Sequence, residues 1–312
     1  MCRVDVVMAT YNGEKYVSEQ VNSVLQNQDC DVYLHIFDDG STDETIVILN
    51  KLKQIYPRHI TIHQNEHNLG PTKNFLFGIR EVMEQNQDAQ YFMSCDQDDV
   101  WNHDKIAKTL KRMKQMENRF GLDRPLLVFT DVSVTDDKLN EIAPSFYKSQ
   151  RLQVQKTDLA HLLMENKCIG CTVMINRSFE PYLREIPNHA RFHDWWLALI
   201  ASTFGNISFL PRQTMKYRQH AKNVVGGASF KDYFVNRVKA AKIQRRSLLD
   251  NKKQAEEFHH IFEDVLSIHK KCVVEKFIHV YQKNWFQQRY ILLKNGYLKS
   301  GWIRNVGLLL LF

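Results

Sequence analysis

The sequence lacks the features that mark membrane-spanning, secreted and P-loop proteins. No apolar run in its 312 residues approaches the roughly 18 to 20 residues that cross a bilayer, and the start MCRVDVVMATYNG has no cationic then apolar leader. The six cysteines are scattered, which argues against a disulfide framework. Walker and G-x-G-x-x-G fingerprints are absent, which counts against a P-loop ATPase and a Rossmann dehydrogenase. We therefore expect a cytoplasmic protein of another class.

Proline and negative charge are scarce in the C-terminal part of the chain. Residues 231–312 contain no proline, and they carry 16 of the 42 Lys and Arg but only 7 of the 35 Asp and Glu. Apolar residues recur there at helical spacing, and the composition changes near HAKNVVGGAS at 220–229. We predict one domain over residues 1–225 and a basic, mainly helical region over 226–312.

Strand-like and helix-like segments alternate before that boundary. Each apolar, β-branched run is followed by a stretch with apolar residues at helical spacing. The predicted strands are 4–10, 32–37, 59–64, 91–95 and 125–130, and the predicted helices are 16–25, one that begins near Asp43, 71–86 and 103–117. Repeated units of this kind imply an α/β fold, with a mostly parallel sheet covered by helices on both faces.

Three polar clusters directly follow predicted strands: ATYN at 9–12, DDGS at 38–41 and DQDD at 96–99. Because ligands bind at the carboxyl ends of parallel strands, we expect these clusters to meet at one edge of the sheet. Tyr11 offers a ring on which a base can stack, and Asp38 or Asp39 can accept hydrogen bonds from a base or a ribose. The carboxylates at 96, 98 and 99 repel one another unless a cation or hydrogen-bond donors lie among them, and Asp98 suits a hard divalent cation.

A purely structural reading of these clusters is also open. DDGSTD is a good turn and helix-capping sequence, in which Ser41 or Asp43 caps the next helix. Asp99 and Asp104 are candidates to cap the helix after Trp101. A single Asp-x-Asp is common in loops, so the functional interpretation depends on the convergence of all three clusters.

Four motifs in order resemble family 2 glycosyltransferases with the GT-A fold: VVMATYNGEKYVSEQVNSVLQNQ, FDDGSTDET, NEHNLGPTKNF and CDQDDVWNHDK. The resemblance covers residues 3 to about 225. It implies a nucleoside diphosphate sugar donor, a divalent metal that is Mn²⁺ or Mg²⁺, and inversion at the anomeric centre. A metal bridging to the diphosphate would explain the crowded carboxylates.

The same resemblance assigns roles to individual residues. Tyr11, with Thr10 beside it, and Asp39 would hold the base, and Asp38 and Asp96 would lie in the nucleotide pocket. Asp98 would be the carboxylate on the metal. Lys73 in GPTKNF would reach the nucleotide or the diphosphate, although a solvated lysine at a helix start explains it equally well.

A second cluster, FHDWWLALIASTFG at 192–205, reads as a buried helix preceded by polar residues. Glycosyl transfer needs a base that takes the proton from the acceptor hydroxyl, and a carboxylate at a helix start can serve. The family has an acidic base at the matching place, so we predict that Asp194 is the base and that Trp195 or Trp196 stacks on an acceptor sugar. The alternative makes Asp194 the N-cap of the helix.

MKYRQHAKNVVG supplies Arg218 and His220 just before the predicted boundary. Arg218 suits the charge that builds on the leaving diphosphate, and His220 can complete a metal site begun by Asp98. The stretches YRQH and HDWW are similar to those of bacterial rhamnosyltransferase-like members, which implies dTDP-L-rhamnose as donor. Cys168 and Cys171 have the spacing of a redox or zinc half-site, but no second pair accompanies them, so we expect ordinary packing.

The basic C-terminal region has three interpretations: a solvated helical hairpin, a homo-oligomer contact or a patch on the inner face of the membrane. The ending GWIRNVGLLLLF combines cationic and apolar residues, as an interfacial segment does, and a lipid-linked glycan acceptor would explain its charge. No nucleic-acid recognition motif is present. Alternatives to a rhamnosyltransferase are a UDP-hexose transferase, a nucleotide-sugar hydrolase or pyrophosphorylase, and an inactive carbohydrate-binding scaffold.

Overall fold

The computed structural model describes residues 2–220 and 237–312, and the predicted boundary at 225 lies outside those ranges. The described strands are β1 Cys2–Thr10, β2 Cys30–Asp38, β3 Ile60–Gln64, β4 Tyr91–Cys95, β5 Val100–Trp101, β6 Leu126–Thr135, β7 Glu141–Ala143, β8 Met174–Asn176 and β9 Asn206–Arg218. The described helices are α1 Val17–Leu25, α2 Thr45–Ile55, α3 Pro71–Gln85, α4 Lys105–Phe120, α5 Phe146–Gln150, α6 Leu159–Met164, α7 His193–Phe204, α8 Arg237–Phe262, α9 Ile268–His279, α10 Trp285–Asn295 and α11 Trp302–Leu311.

The strands form one sheet in the order β3-β2-β1-β4-β8-β6-β9-β5, with β7 paired to β6. The pairs β1–β2, β2–β3, β1–β4 and β6–β9 are parallel, whereas the short strands β5, β7 and β8 run antiparallel to their neighbours. The prediction of a mostly parallel α/β sheet is confirmed. The short strands β5 and β7 were not predicted, because two or three residues carry too little periodicity to be recognised, whereas β8 lies inside GCTVMIN, a stretch with a strand-like pattern.

Alternate residues of the central strands pack into two different cores. Val7 of β1 and Phe37 of β2 face a core that also contains α3, α6, α7 and the C-terminal helices. Val6 and Ile36 face the opposite core, which contains α1, α2 and α4. This alternation follows from the two-residue period of a strand, and it leaves the strand ends, not the faces, open for a ligand.

The C-terminal residues form helices, as their composition predicted, and they share the first core with the sheet. Phe258 and Phe262 of α8, Phe277 of α9 and Leu308 of α11 are buried in it. Within the two described ranges, no helix is long and apolar enough to pass through a bilayer.

Candidate active site

The loops after β1 and β2 are joined by hydrogen bonds between their backbones and side chains. Asn12 has a left-handed φ of 48°. Its side-chain Oδ1 accepts from the backbone amide of Thr42 at 2.8 Å, and its backbone amide donates to Ser41 Oγ at 2.9 Å. The Gly13 amide donates to Thr45 Oγ1 at 2.8 Å. Asparagine tolerates this backbone conformation better than most residues, so the sequence YNG suits the turn.

Gln97 connects the acidic loop after β4 to the first loop. Its amide accepts from Tyr11 N and donates to Tyr11 O, both at 3.0 Å. A Cβ on residue 13 would lie 2.2 Å from Gln97 Oε1, so only glycine leaves room for this contact. The Tyr11 ring remains half exposed at this rim, in a position where a base can stack on it.

Asp38 and Asp39 lie at the predicted rim, but both carboxylates are turned into the protein. Asp38 accepts from Thr10 Oγ1 at 2.8 Å and from Ser41 Oγ at 2.6 Å. Asp39 accepts from the amides of Leu69 and Gly70, each at 2.8 Å. The sequence predicted that these carboxylates accept hydrogen bonds from the nucleotide. At 1% and 3% exposure, however, neither presents an oxygen to a ligand in this structure, and Thr10 is buried with them. In this structure they shape the rim and hold the start of α3.

Asp98 and His220 are brought together although 122 positions separate them. His220 Nε2 lies 2.8 Å from Asp98 Oδ2, and the imidazole stacks on the Tyr16 ring with centroids 5.0 Å apart. Both side chains keep partial exposure, 17% for Asp98 and 14% for His220. A carboxylate and an imidazole at this separation, open to solvent, have the chemistry to bind a divalent cation.

Arg218 lies beneath the acidic loop and is not open to a diphosphate. Its guanidinium donates to the Asp98 carbonyl at 2.8 Å through Nε, donates to the Asp137 carbonyl and pairs with Glu19. Its backbone amide donates to Asp99 Oδ1 at 3.0 Å. Only 3% of the side chain is exposed. This corrects the predicted contact with the leaving group, since a guanidinium fixed by three protein partners positions the loop that carries Asp98.

Asp96, Asp99 and Cys171 form a second acidic group, with ligand atoms within 4.8 Å of one another. Asp99 and Cys171 are fully buried, and burial raises the pKa of both groups well above the usual range. A neutral acid and a thiol are poor ligands for a hard cation, which prefers ionised oxygens. A cation bound in this group would have to displace these protons, whereas Asp98 and His220 present an oxygen and a nitrogen at a partly exposed edge.

A buried lysine lies next to the acidic group and was not identified from the sequence. Lys105 Nζ donates to the Cys171 carbonyl at 3.0 Å and lies 4.5 Å from the centre of the Trp101 ring. Burial lowers its pKa to about 8, while the nearby Asp99 and Asp96 charges oppose that shift. A helix-start lysine in WNHDK looks solvated in the sequence, and only the tertiary fold shows that it supplies positive charge below the carboxylates.

Asp194 is the second residue of α7 and lies close to the acidic loop. Phe192 occupies the N-cap position and makes no side-chain cap, so Asp194 is not the cap of this helix. Burial raises the pKa of Asp194 to about 7, and hydrogen bonds with the Trp195 amide, Asn166 and the Gly170 backbone oppose the rise. The pKa of Asp96 is also raised to about 7, by burial first and then by the charges of Asp98 and Asp194. The two carboxylates thus share one electrostatic environment.

Gly170, inside the CIGC stretch, leaves room for the ring of His193, the residue before Asp194. A Cβ at Gly170 would lie 2.6 Å from the His193 ring. His193 stacks on Phe75 with centroids 3.9 Å apart, and burial lowers its pKa to about 3, so it is neutral. Both cysteines of the stretch are buried free thiols with raised pKa, in agreement with the expected packing role.

The two tryptophans after Asp194 lie in the core rather than at an acceptor surface. Trp196 is fully buried against Phe258 and Phe262, and Trp195 is 4% exposed, with its indole N–H donating to the Leu162 carbonyl at 2.5 Å. Their predicted stacking on a sugar is therefore wrong for this structure. An apolar helix packed against α8 needs these indoles inside.

The loop before α7, residues 187–192, is held from two sides. Lys73, which was predicted to reach the nucleotide or the diphosphate, donates through Nζ to Asn188 Oδ1 at 2.8 Å, so its side chain points toward this loop. From α8, Glu257 accepts from the Asn188 amide at 2.7 Å and from the His189 amide at 2.5 Å. Gln254 of α8 accepts from the Arg191 amide at 2.9 Å. Helix α8 therefore positions the segment that leads to Asp194, a role that no motif indicated.

Comparison with known proteins gives a family and several relatives. The profile of Glycosyl transferase family 2 matches residues 5–180. The dTDP-rhamnosyl transferase RfbG of Shigella flexneri is 32% identical over 255 residues, which is 78% of this chain and 80% of that protein. The putative teichuronic acid biosynthesis glycosyltransferase TuaG of Bacillus subtilis is 27% identical over 205 residues, 64% of this chain and 73% of that protein.

Solved structures with a similar fold come from more distant proteins. The mannosyltransferase PcManGT of Pyrobaculum calidifontis, in complex with GDP-Man and Mn²⁺, aligns with 99% of this chain and 78% of its own, with a TM-score of 0.54 and 14% identity. S. aureus TarS 1-349 in complex with UDP-GlcNAc aligns with 95% of this chain and 89% of its own, with a TM-score of 0.51 and 14% identity. At this identity the likeness concerns the fold alone.

Proposed function

The chain belongs to glycosyl transferase family 2 and has the GT-A fold, and we propose that it is a metal-dependent, inverting rhamnosyltransferase. In this proposal it moves L-rhamnose from dTDP-rhamnose to a lipid-linked glycan during synthesis of a cell-surface polysaccharide. The 32% identity to a dTDP-rhamnosyl transferase over most of both chains supports the donor, and the similarity to TuaG supports the pathway class.

The observation that best supports this chemistry is the raised pKa of the Asp194 carboxyl, which lies beside the acidic loop. A base with a pKa of about 7 is ionised in a useful fraction at neutral pH and still accepts a proton well. In the reaction, the acceptor oxygen forms a bond to the anomeric carbon, and the bond from that carbon to the diphosphate oxygen breaks. The proton of the acceptor hydroxyl moves to the Asp194 carboxylate, and the diphosphate leaves with the electron pair.

Asp98 and His220 would hold the divalent cation, because they present an oxygen and a nitrogen 2.8 Å apart at a partly exposed edge. When bound there, the cation supplies positive charge that stabilises the leaving diphosphate. Tyr11 would stack on the base, and Asp38 and Asp39 would keep the rim in place for it. Arg218 would fix the Asp98 backbone rather than touch the donor.

A panel of nucleotide sugars tests this proposal. The full chain is incubated with dTDP-rhamnose or with UDP-hexoses, with Mn²⁺, with and without a lipid-linked glycan acceptor. We expect nucleoside diphosphate release and an extended glycan with dTDP-rhamnose, and only when the acceptor is present. Extension with a UDP-hexose alone would reassign the donor. Release of monophosphate and sugar phosphate without acceptor would indicate a hydrolase.

A further inference from the structure

Exposed apolar side chains are concentrated near the C-terminus. Of the eighteen large apolar side chains exposed in the described residues, eight lie between 285 and 310, and these include four of the five exposed aromatic rings. They are Trp285, Phe286, Tyr290 and Leu293 of α10, and Trp302, Ile303, Val306 and Leu310 of α11. We call these eight residues the aromatic surface. Scattered exposed apolar residues are normal in proteins, whereas exposed apolar residues this dense along two consecutive helices point to an interaction site.

Each helix presents its part of the aromatic surface on one face. The positions on α11 follow the spacing i, i+1, i+4 and i+8, which covers a single stripe of an α-helix. The opposite side of α11 faces the protein, since Leu308 is buried and Arg304 donates to Glu165 at 3.0 Å. Trp302 is 75% exposed on the open side. The stripe therefore points away from a helix that is already packed.

The charged residues of the segment that carries this surface have one sign. Residues 276–312 contain no Asp or Glu and six Lys or Arg. Lys283 and Lys294, near the two ends of α10, are exposed. Tryptophan and tyrosine favour the boundary between hydrocarbon and water, and lysine beside them pairs with anionic headgroups. Nucleic acid would match the charge but would leave Ile303, Val306 and Leu310 without apolar contacts.

We propose that the aromatic surface binds the interface of an anionic lipid bilayer, with α10 and α11 lying on the membrane. Insertion of the indole and aliphatic side chains would bury apolar area, and the lysines would contact the headgroups. The cationic excess of a segment without carboxylates distinguishes this partner from a second copy of the chain, because two such surfaces would repel each other.

The surface is connected to the candidate active site by a partly buried polar network. Glu165 accepts from Arg304 of α11 at 3.0 Å and from the Ser300 amide at 2.7 Å, and it also pairs with the buried Lys167. Asn166, the next residue, hydrogen-bonds the Asp194 carboxylate. If Asp194 is the base, as in the proposed function, this connection would hold it at a defined position relative to a membrane that carries a lipid-linked acceptor.

Vesicle co-sedimentation tests the proposal independently of transfer activity. The full chain is mixed, without donor, with vesicles of phosphatidylcholine alone or of equal parts phosphatidylcholine and phosphatidylglycerol. We expect binding to the anionic vesicles that weakens as salt is raised, and little binding to the neutral ones. Equal binding to both, or binding to neither, would overturn the proposal.

Two variants and two matched controls locate the surface. Lys283→Gln with Lys294→Gln should weaken binding by about 30-fold, whereas Lys51→Gln with Lys111→Gln, at exposed sites elsewhere, should leave it unchanged. Trp302→Ser with Ile303→Ser should weaken it by about tenfold or more, whereas Ile55→Ser with Leu122→Ser should not. The lysine pair changes only solvent-exposed side chains, so its result stands even if the apolar variant folds poorly.

Two outcomes would contradict these expectations. If the control pairs weaken binding as much as the surface pairs, net charge rather than this surface is responsible, and the proposal fails. If the parent chain dimerises in size-exclusion chromatography, binds no vesicles, and becomes monomeric on Trp302→Ser with Ile303→Ser, the surface joins two copies and the proposal is wrong.

Discussion

The proposed donor and acceptor sides of the candidate active site are built in different ways. On the donor side, short loops after β1, β2 and β4 hold one another through contacts such as Gln97 to Tyr11 and Asn12 to Thr42. On the acceptor side, the segment before Asp194 is held by α8, through Gln254 and Glu257. The donor side is therefore complete within the sheet, while the acceptor side depends on the C-terminal helices.

This difference has a chemical counterpart in the two key carboxylates. Asp98 is partly exposed and paired with His220, so its charge is available to a cation. Asp194 is 7% exposed, and burial raises its pKa to about 7. Asp98 is therefore placed to contact a cation and Asp194 to accept a proton, and their different environments separate the proposed roles of two identical groups.

The largest expected effect comes from Asp194→Asn. The amide keeps the volume but cannot accept the acceptor's proton, so turnover should fall by about 10² to 10⁴, whereas calorimetry should show unchanged donor binding. The folded pKa of Asp194 is raised to about 7 from an unfolded value of about 4, so ionising it costs stability as pH rises between those values. The variant should therefore melt at or above the parent temperature at pH 8. Near-normal turnover would remove Asp194 as the base, with Asp99 next to be tested.

Asp98→Asn tests the donor side. A neutral amide is a poor ligand for a hard cation, so the enhancement of nucleoside diphosphate binding by Mn²⁺ should fall by about ten- to a hundredfold. Asp104→Asn, in the same segment and paired with Lys108, is the control and should keep the metal response. If Asp98→Asn keeps it as well, the cation is held elsewhere, and Asp96 becomes the first alternative.

The pH profile should reflect the acceptor side. If Asp194 is the base, as proposed, its raised pKa of about 7 predicts that kcat/KM rises with pH, about tenfold from pH 5.5 to 6.5, and levels off above pH 8. His193, with a pKa near 3, stays neutral over this range. Asp96 also titrates near 7, so Asp96→Asn is measured in parallel. A rise that disappears in Asp96→Asn would move the titration to the donor side.

The sequence predicted the meeting of the loops after β1, β2 and β4 for a physical reason. Turns, glycines and acidic pairs at strand ends are local signals, and the rule for parallel sheets brings them together without long-range information. The parallel pairing of β1, β2, β3 and β4 followed from such signals, while the roles of Tyr11 and Asp98 stay predictions. The pairing of Asp98 with His220 was proposed from motif likeness and depends on β9, a 13-residue strand that the sequence pattern did not indicate.

The sequence did not show which polar and aromatic side chains are buried. Arg218, Trp195 and Trp196 have the residue types of ligand-binding positions, yet β9 and α7 turn them into the protein. Lys105 has the appearance of a solvated lysine and is fully buried. Whether a polar or aromatic side chain faces a ligand or the core depends on packing partners distant in the chain, and a single sequence does not show these partners.

The smallest effect is expected where the acceptor side depends on α8. Glu257→Gln replaces one acceptor oxygen with a donor amide facing the N–H of Asn188 or His189, so the loop before Asp194 should lose part of its support. We expect kcat to fall a few-fold to about tenfold with unchanged donor affinity, since misplacing a base slows the chemical step more than it weakens binding of the other substrate. Glu256→Gln, one position away and paired with Lys252, is the matched control and should leave kcat unaltered. A Glu257→Gln enzyme with parental kcat would mean that the sheet alone positions Asp194, and the contrast between the two sides would disappear. Loss of donor affinity together with kcat would instead show that α8 supports both sides of the site.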